Sequence, residues 1–296
     1  MEEQTKRCGF VALAGAPNVG KSTLLNRILG THLSIATDKA QTTRTRILGI
    51  ATRGPVQLAF TDTPGIHHLG RRGNLLQKRM VSAARSGVHS ADVTCWIVDA
   101  AHGMGRIDRE ELPKLDAAGT IVALNKIDLV DKDSLLPLMA EVGGLLPEAD
   151  CIPVSASTGE NLDLLLEHLS AAVPAGPWMF PDDQLTDQSE RNLVAELIRE
   201  QLFRQLDQEL PYRVAVRVEE YDDQGRKVHI EAIIYTDSTS SKKMIVGKDG
   251  SRIKKVGTAA RHAAEDLIGK GLYLDLRVKV KKDWQQDSRF LEELGL

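Results

Sequence analysis

The sequence predicts an α/β protein in two parts: a mostly parallel sheet with helices on both faces, then a smaller α+β domain. Three observations carry this. Short apolar runs alternate with amphipathic stretches over the first 173 residues, the spacing of βα units that build a parallel sheet. The stretch Pro174-Ala-Gly-Pro-Trp-Met-Phe-Pro181 then interrupts the pattern, because three rigid φ angles and three missing N–H groups cannot continue a helix. Beyond it the order changes to helix, strand, strand, helix, helix, strand. With 296 residues the chain can bury two cores. The expected layout is one domain over 1–173, a linker over 174–187 and a second domain over 188–296.

Taken in order, Phe10–Ala14 reads as a buried strand, followed by a Gly-rich loop and a helix from Lys21. Arg46–Thr52 and Val56–Thr61, joined by Arg53-Gly54-Pro55, read as a strand pair. Val93–Asp99, Thr120–Asn125 and Cys151–Val154 are further buried strands, with helices near 73–87, 106–118, 133–146 and 160–172. In the second part a helix near 188–206 precedes two strands about an Asp222-Asp-Gln-Gly225 turn. A short helix, a tight loop, a helix near 251–268 and a strand near 272–282 complete it. Trp178 and Phe180 are read as docking the linker onto one domain.

Composition narrows the function classes. No run of about 18 apolar residues is present, and the Met-Glu-Glu-Gln-Thr-Lys-Arg start is not that of a signal peptide. Cys8, Cys95 and Cys151 stand alone and form no CxxC pair. That argues against zinc or a disulfide framework and suits a reducing, cytoplasmic setting. Net charge is −3, but residues 242–282 hold 12 basic against 4 acidic side chains, a local +8. Such a patch is a footprint for a polyanion.

Five short motifs then appear in fixed order. Gly15, Ala16, Pro17, Asn18, Val19, Gly20, Lys21 and Ser22 fit G-x-x-x-x-G-K-[ST] between a strand and a helix that continues through Thr23. Backbone N–H groups of such a loop converge on phosphate, and the helix N-terminus adds a favourable dipole. Lys21 is expected at the β- and γ-phosphates and the Ser22 hydroxyl on Mg²⁺. Thr42 and Thr43 lie in a polar loop, with Thr43 the second expected magnesium ligand. Asp62-Thr63-Pro64-Gly65 closes a strand; Asp62 would hold Mg²⁺ through water and the Gly65 N–H would sense the γ-phosphate. Asn125-Lys126-Ile-Asp128 reads the base, because the Asp128 carboxylate can accept from the N1–H and 2-amino group of guanine, which adenine lacks. Asn125 braces loops, Lys126 lies along the base plane, and Ser155-Ala156-Ser157 brings the Ala156 N–H toward the guanine O6. The expected ligand is therefore GTP or GDP with Mg²⁺.

In the basic segment, Gly247-Lys248-Asp249-Gly250 sits between two helices, within Lys243, Ile245, Val246, Ser251, Arg252, Ile253, Lys254 and Lys255. Gly-x-x-Gly there is the signature of a KH domain, whose glycines admit the sugar-phosphates of a few single-stranded nucleotides beside an apolar groove. The element order fits the type II form. Asp249 sets a carboxylate beside the expected phosphates. Trp284 is read as packing rather than stacking on a base.

These five motifs resemble those of TRAFAC-class GTPases. Gln41-Thr-Thr-Arg44 with Asp62-Thr-Pro-Gly65, the appended type II KH domain and the ending Val278-Lys-Val-Lys-Lys-Asp-Trp284 look like the Era-like family over essentially the whole chain. The resemblance implies a GTP-hydrolysing factor that binds the 3′ region of small-subunit (16S) ribosomal RNA during 30S assembly. It also implies peripheral contact with the inner face of the membrane; a monomer is the expected state. Lys21, Gly65 and Thr43 carry the expected catalytic roles. Ile66 stands where Ras-like GTPases have a water-orienting glutamine, so unaided hydrolysis should be slow, and Asn18 matches an asparagine that binds potassium in some relatives. Two alternatives stay open: a GTPase of another RNA pathway such as tRNA modification, and an RNA-binding module with a purely structural nucleotide site.

Overall fold

The computed structural model describes residues 5–37, 39, 42–66, 73–207 and 209–296; Gln41 of the expected Gln-Thr-Thr-Arg motif lies outside them. The described residues form two compact units. One comprises those up to residue 66 together with Arg79–Asp187; the other comprises Gly73–Lys78 and Gln188–Leu296.

The first unit is built on β1 (Arg7–Gly15), α1 (Lys21–Leu29), β2 (Ile47–Arg53), β3 (Val56–Asp62), α2 (Leu75–His89, from Arg79 onward), β4 (Val93–Asp99), α3 (Arg106–Glu111), β5 (Thr120–Asn125), α4 (Leu135–Leu145), β6 (Asp150–Pro153) and α5 (Leu162–Ala172). The sheet order is β2-β3-β1-β4-β5-β6. All neighbours are parallel except β2, which pairs antiparallel with β3. The physical reason is visible in β4, where all seven residues of Val-Thr-Cys-Trp-Ile-Val-Asp are buried. A strand covered on both faces has no solvent side and shows no alternation. Two apolar layers cover the sheet, one around Leu24, Leu25, Phe60 and Leu165 and the other around Trp96, Leu112, Leu138 and Val142.

Register fixes the site. Leu13 pairs with Asp62, Gly15 with Ile97 and Asp99 with Asn125. The carboxyl ends of β1, β3, β4 and β5 therefore meet along one edge, where open α/β sheets bind ligands. Since β2 runs the other way, the Thr42-Thr43 segment leading into it arrives at that same edge. The expected helix over 106–118 is shorter. It ends at Glu111 and continues as a 3₁₀ turn over Leu112–Lys114, because Pro113 cannot donate back into an α-helix.

The 174–187 segment lies on the first unit. The Trp178 indole donates to the Pro55 carbonyl at 3.1 Å, and Phe180 meets the Phe10 ring edge-on at 6.4 Å between centroids. Gln57 Oε1 accepts from both Met179 N and Phe180 N. Further along, Ile50 N donates to Leu185 O at 2.8 Å, beside the edge strand β2.

The second unit comprises α6 (Glu190–Gln205), β7 (Val214–Asp223), β8 (Lys227–Thr236), α7 (Thr239–Val246), α8 (Ser251–Ile268), β9 (Gly271–Val280) and α9 (Ser288–Glu293). Its sheet runs β7-β8-β9, antiparallel then parallel. Val256, Ala260 and Ala264, four residues apart on α8, form the buried stripe that an amphipathic helix needs. The terminal α9 was not expected; Asp287 caps it through Phe290 N, and Phe290 and Leu291 are buried. Trp284 is fully buried, donates to the Arg213 carbonyl and meets Phe290 edge-on, as its packing assignment requires. No helix among the described residues is long and apolar enough to cross a membrane.

Candidate functional site

A cleft of about 710 Å³ opens over the carboxyl edge of the first sheet, lined by the loop from Ala16 to Gly20, by Lys21, Ser22 and Thr23, and by Thr42, Thr43, Gly65 and Lys126. The loop closes on α1 through Gly20, a left-handed residue at the helix start, and the Leu24 N–H returns to its carbonyl. Lys21 is buried at 6% exposure, and its ammonium donates to the Ala16 carbonyl at 2.7 Å and the Gly15 carbonyl at 3.3 Å. Burial outweighs the nearby Asp62 and Asp108 charges and lowers its pKa to about 8. Gly65 lies against the loop so closely that a Cβ would stand 2.9 Å from Pro17 Cα, so no larger residue fits at this approach.

Asp62, at the end of β3, is fully buried. Its Oδ2 accepts from Ser34 at 2.6 Å, Ser22 at 2.7 Å and Thr43 at 3.3 Å, while Ser22 and Thr43 lie 3.0 Å apart. Desolvation raises the Asp62 pKa against the pull of these hydroxyls and of Lys21. Its Oδ1 is buried with no hydrogen-bond partner among the described residues, a cost that a bound group at that oxygen would remove. One carboxylate and two hydroxyls offer hard oxygen donors, the set suited to Mg²⁺. No cluster of three His, Cys, Asp or Glu side chains gathers among the described residues. The residues present fit magnesium.

The base-reading segments form an adjoining cluster. Asn125, at the end of β5, donates to the Val19 carbonyl at 2.8 Å and accepts from Ala156 N at 2.9 Å, fastening two loops to the phosphate loop. The Ala156 N–H, expected at the guanine O6, is here engaged by Asn125; contact with a base shares or replaces that bond. Ser155 donates to Asp128 Oδ1 at 2.6 Å, and the Ser157 carbonyl accepts from Arg27 of α1. Of these residues Lys126 alone lines the cleft.

Sequence reasoning missed what holds Lys126. Its ammonium sits 2.6 Å from Asp99 Oδ2 and donates to the Asn18 carbonyl at 2.8 Å. His102 and the Ala101 N–H also meet the Asp99 carboxylate. Burial opposes ionisation of Asp99, but Lys126 and His102 prevail and its pKa is lowered. An aspartate at the end of β4, on the same edge as the motifs, was the available signal. Ser34, a lone hydroxyl between the buried Leu33 and Ile35, was missed as well. Ile66 is 5% exposed and packs into the Trp96 layer, with its N–H on the Gly15 carbonyl.

In the second unit the Gly-x-x-Gly loop joins α7 to α8. Gly247 has φ 75° and ψ 176°, Asp249 φ 50° and Gly250 φ 74°. A Cβ on Gly247 would lie 2.8 Å from Arg252 Cβ, so the position needs glycine both for its torsions and for space. Lys243, Lys248, Ser251, Lys254 and Lys255 are exposed around the loop, with Asp249 among them. Arg252 is held by the Met244 carbonyl at 3.0 Å. Ile245 is buried, whereas Val246, Ile253, Leu274 and Leu276 are half-buried against the same core. These apolar side chains lie on α7, α8 and β9, and the exposed basic residues lie on α7, on α8 and in the loop between them.

Two family models match separate stretches of the chain. The family model described as 50S ribosome-binding GTPase matches residues 10–126, and the KH domain model matches 209–285. GTPase Era of Azotobacter vinelandii (strain DJ / ATCC BAA-1303) is 43% identical over 297 residues, covering 99% of this chain and 98% of the relative. GTPase Era of Pseudomonas fluorescens (strain Pf0-1) is 44% identical over 292 residues, covering 98% and 96%. Among solved structures, Era in complex with MgGDPNP and nucleotides 1506–1542 of 16S ribosomal RNA superposes with a TM-score of 0.93 at 37% identity, over 98% of this chain and 99% of that one. An Aquifex aeolicus Era variant bound to GDP·AlF4⁻ gives 0.92 at 37% identity with the same coverage.

Proposed function

The chain belongs to the Era family of GTPases, and on that premise we propose that it is a GTP-switched factor of 30S assembly whose KH unit grips the 3′ region of 16S ribosomal RNA. It hydrolyses GTP to GDP and phosphate. The RNA assignment follows the Era complex with nucleotides 1506–1542 and is supported by the basic and apolar side chains of α7, α8 and the loop Gly247–Gly250 between them. Lys243, Ile245, Val246, Lys248, Arg252, Ile253, Lys254 and Lys255 would hold the strand, with Asp249 opposing them. The observation that carries the enzymatic reading is the convergence of Ser22, Thr43 and Asp62 under the same loop whose Lys21 lines the cleft.

Each residue then has a chemical task. Lys21 leaves the Gly15 and Ala16 carbonyls for phosphate oxygens, a stronger charge-assisted pairing. Ser22 and Thr43 would ligate Mg²⁺ and Asp62 would hold a water of its shell. Magnesium, when bound, neutralises charge between the β- and γ-phosphates. Gly65, set against Pro17, would present its N–H to the γ-phosphate, and Thr43 would report the same group from the other side. Asp128 accepts from guanine while Asn125, Lys126 and Ser155–Ser157 hold the base plane. Ile66 is packed away from the cleft, so position 66 supplies no glutamine for the attacking water. Asn18, at φ 63° on the loop apex, is assigned as the ligand of a potassium ion that offsets transition-state charge. Faster hydrolysis in potassium than in sodium supports it, and equal rates remove it.

The switch itself is tested by RNA affinity. A 16S fragment ending at the 3′ terminus should bind the full chain more tightly with a non-hydrolysable GTP analogue than with GDP, and RNA should raise the preference for that analogue over GDP by the same factor. Identical affinities in the two nucleotide states would overturn the switch.

A further inference from the structure

One hydroxyl in the cradle has no assigned role. Ser34 lies after α1, where the left-handed Gly30 turns the chain back, and it is 1% exposed between Leu33 and Ile35, themselves 5% and 2% exposed. Its Oγ donates to Asp62 Oδ2 at 2.6 Å, the shortest of the three hydroxyl contacts on that oxygen.

The position of Ser34 is set by Asn26. The Asn26 side-chain oxygen accepts from Leu33 N at 3.0 Å and from Ser34 N at 2.9 Å, while its amide donates to the Ser34 carbonyl at 2.7 Å. Asn26 falls one turn after Ser22 on α1, and residues four apart share a helix face. One face of one helix therefore carries a cradle hydroxyl and the clamp that delivers another hydroxyl to the same carboxylate.

We propose that Ser34, clamped by Asn26, is a positioning residue of the magnesium site: it pins Asp62 Oδ2 and so sets how tightly Mg²⁺ is retained with nucleotide. The inference rests on reading Ser22, Thr43 and Asp62 as that site. Ser22 and Thr43 must turn lone pairs toward a cation, so their hold on Asp62 changes with loading. Ser34 lies outside the ligand set and keeps its bond throughout. With Oδ2 fixed, rotation of the carboxylate is blocked and Oδ1, which has no partner among the described residues, remains the open acceptor for a metal-bound water.

The test uses the full chain loaded with a fluorescent GDP analogue, following release as Mg²⁺ is varied. Ser34→Ala should raise the magnesium concentration for half-maximal retention about tenfold, the effect of losing one hydrogen bond to a charged group. Release in excess EDTA should stay within twofold of the parent. Ser34→Cys fills the same space with a weaker donor and should shift the midpoint in the same direction. Midpoints within twofold of the parent in both variants overturn the proposal, as does equal acceleration with and without EDTA, which marks general loosening. Asp62→Asn separates the two readings. If it shifts the midpoint and the Ser34 variants do not, only the Ser34 role fails; if none shifts it, the magnesium site fails too.

Discussion

The Ser155 hydroxyl donates to Asp128 Oδ1 at 2.6 Å, joining the loop after β6 to the loop after β5. Ser155 is fully buried, whereas Asp128 is exposed, so a fixed donor holds a carboxylate that would otherwise rotate freely in water. Ser155→Ala should weaken GDP binding about tenfold, the usual effect of losing one hydrogen bond to a charged acceptor. Asp128→Asn should exchange preference from guanine to xanthine nucleotides, because the amide can donate where the carboxylate only accepts. Calorimetric titration with GDP and XDP decides both; an Asp128→Asn chain that still prefers GDP contradicts the base assignment.

Restoring a glutamine at Ile66 should not speed hydrolysis. The Ile66 side chain is in the apolar layer with Trp96, Val98 and Leu124, not in the cleft. Ile66→Gln buries an amide among those side chains, costing about 1–3 kcal/mol of stability. Thermal melting should fall by several degrees while single-turnover hydrolysis stays within about threefold. A large acceleration would mean the segment can turn outward and that the packed arrangement is not the one that reacts.

How far the site could be read in advance differs residue by residue. Strands such as β4 were legible because burial on both faces leaves a near-continuous apolar run, and the motifs at their ends carry their own chemistry. The end of α3 was misjudged by a few residues although Pro113 marks it, because the apolar period runs on past the proline. The six-residue α9 is too short for a periodic pattern and is secured by tertiary packing of Phe290 and Leu291. Ser34 and Asp99 escaped for another reason: the partners that give them their roles, Asp62 and Lys126, are 28 and 27 residues away. A single serine or aspartate acquires its role only when the sheet register brings a distant side chain beside it.

Lys21 makes nucleotide binding proton-linked. Burial lowers its pKa to about 8 against 10.5 for the ordinary group. Between those values the unfolded chain holds the extra proton, so the stability of the protein rises with pH across that window relative to Lys21→Met. Phosphate requires the charged amine. Binding of GDP at pH 8.5 should therefore take up a fraction of a proton, detectable as calorimetric heats that vary with buffer ionisation enthalpy. At pH 7 the uptake should be small, and Lys21→Met should show little at either pH. Buffer-independent heats at pH 8.5 for the parent chain would contradict the buried, partly neutral amine.

The Gly-x-x-Gly loop should be sensitive in two separable ways. Gly247 holds φ 75°, ψ 176° with Arg252 Cβ 2.8 Å from where its own Cβ would stand. Gly247→Ala must leave a backbone region essentially restricted to glycine, costing about 1–3 kcal/mol, and displace Arg252 from the Met244 carbonyl. Single-stranded RNA affinity should drop tenfold or more at every salt concentration. Asp249 acts through charge alone, since its left-handed φ of 50° is one that Asp tolerates. Asp249→Lys should tighten binding at low salt, with the gain shrinking as salt rises, because neutralising another phosphate steepens the dependence of log K on log salt. Measured over 50–300 mM KCl by fluorescence anisotropy, an unchanged slope would show that this side chain points away from the bound strand. The basic contribution would then be carried by Lys248, Lys254 and Lys255.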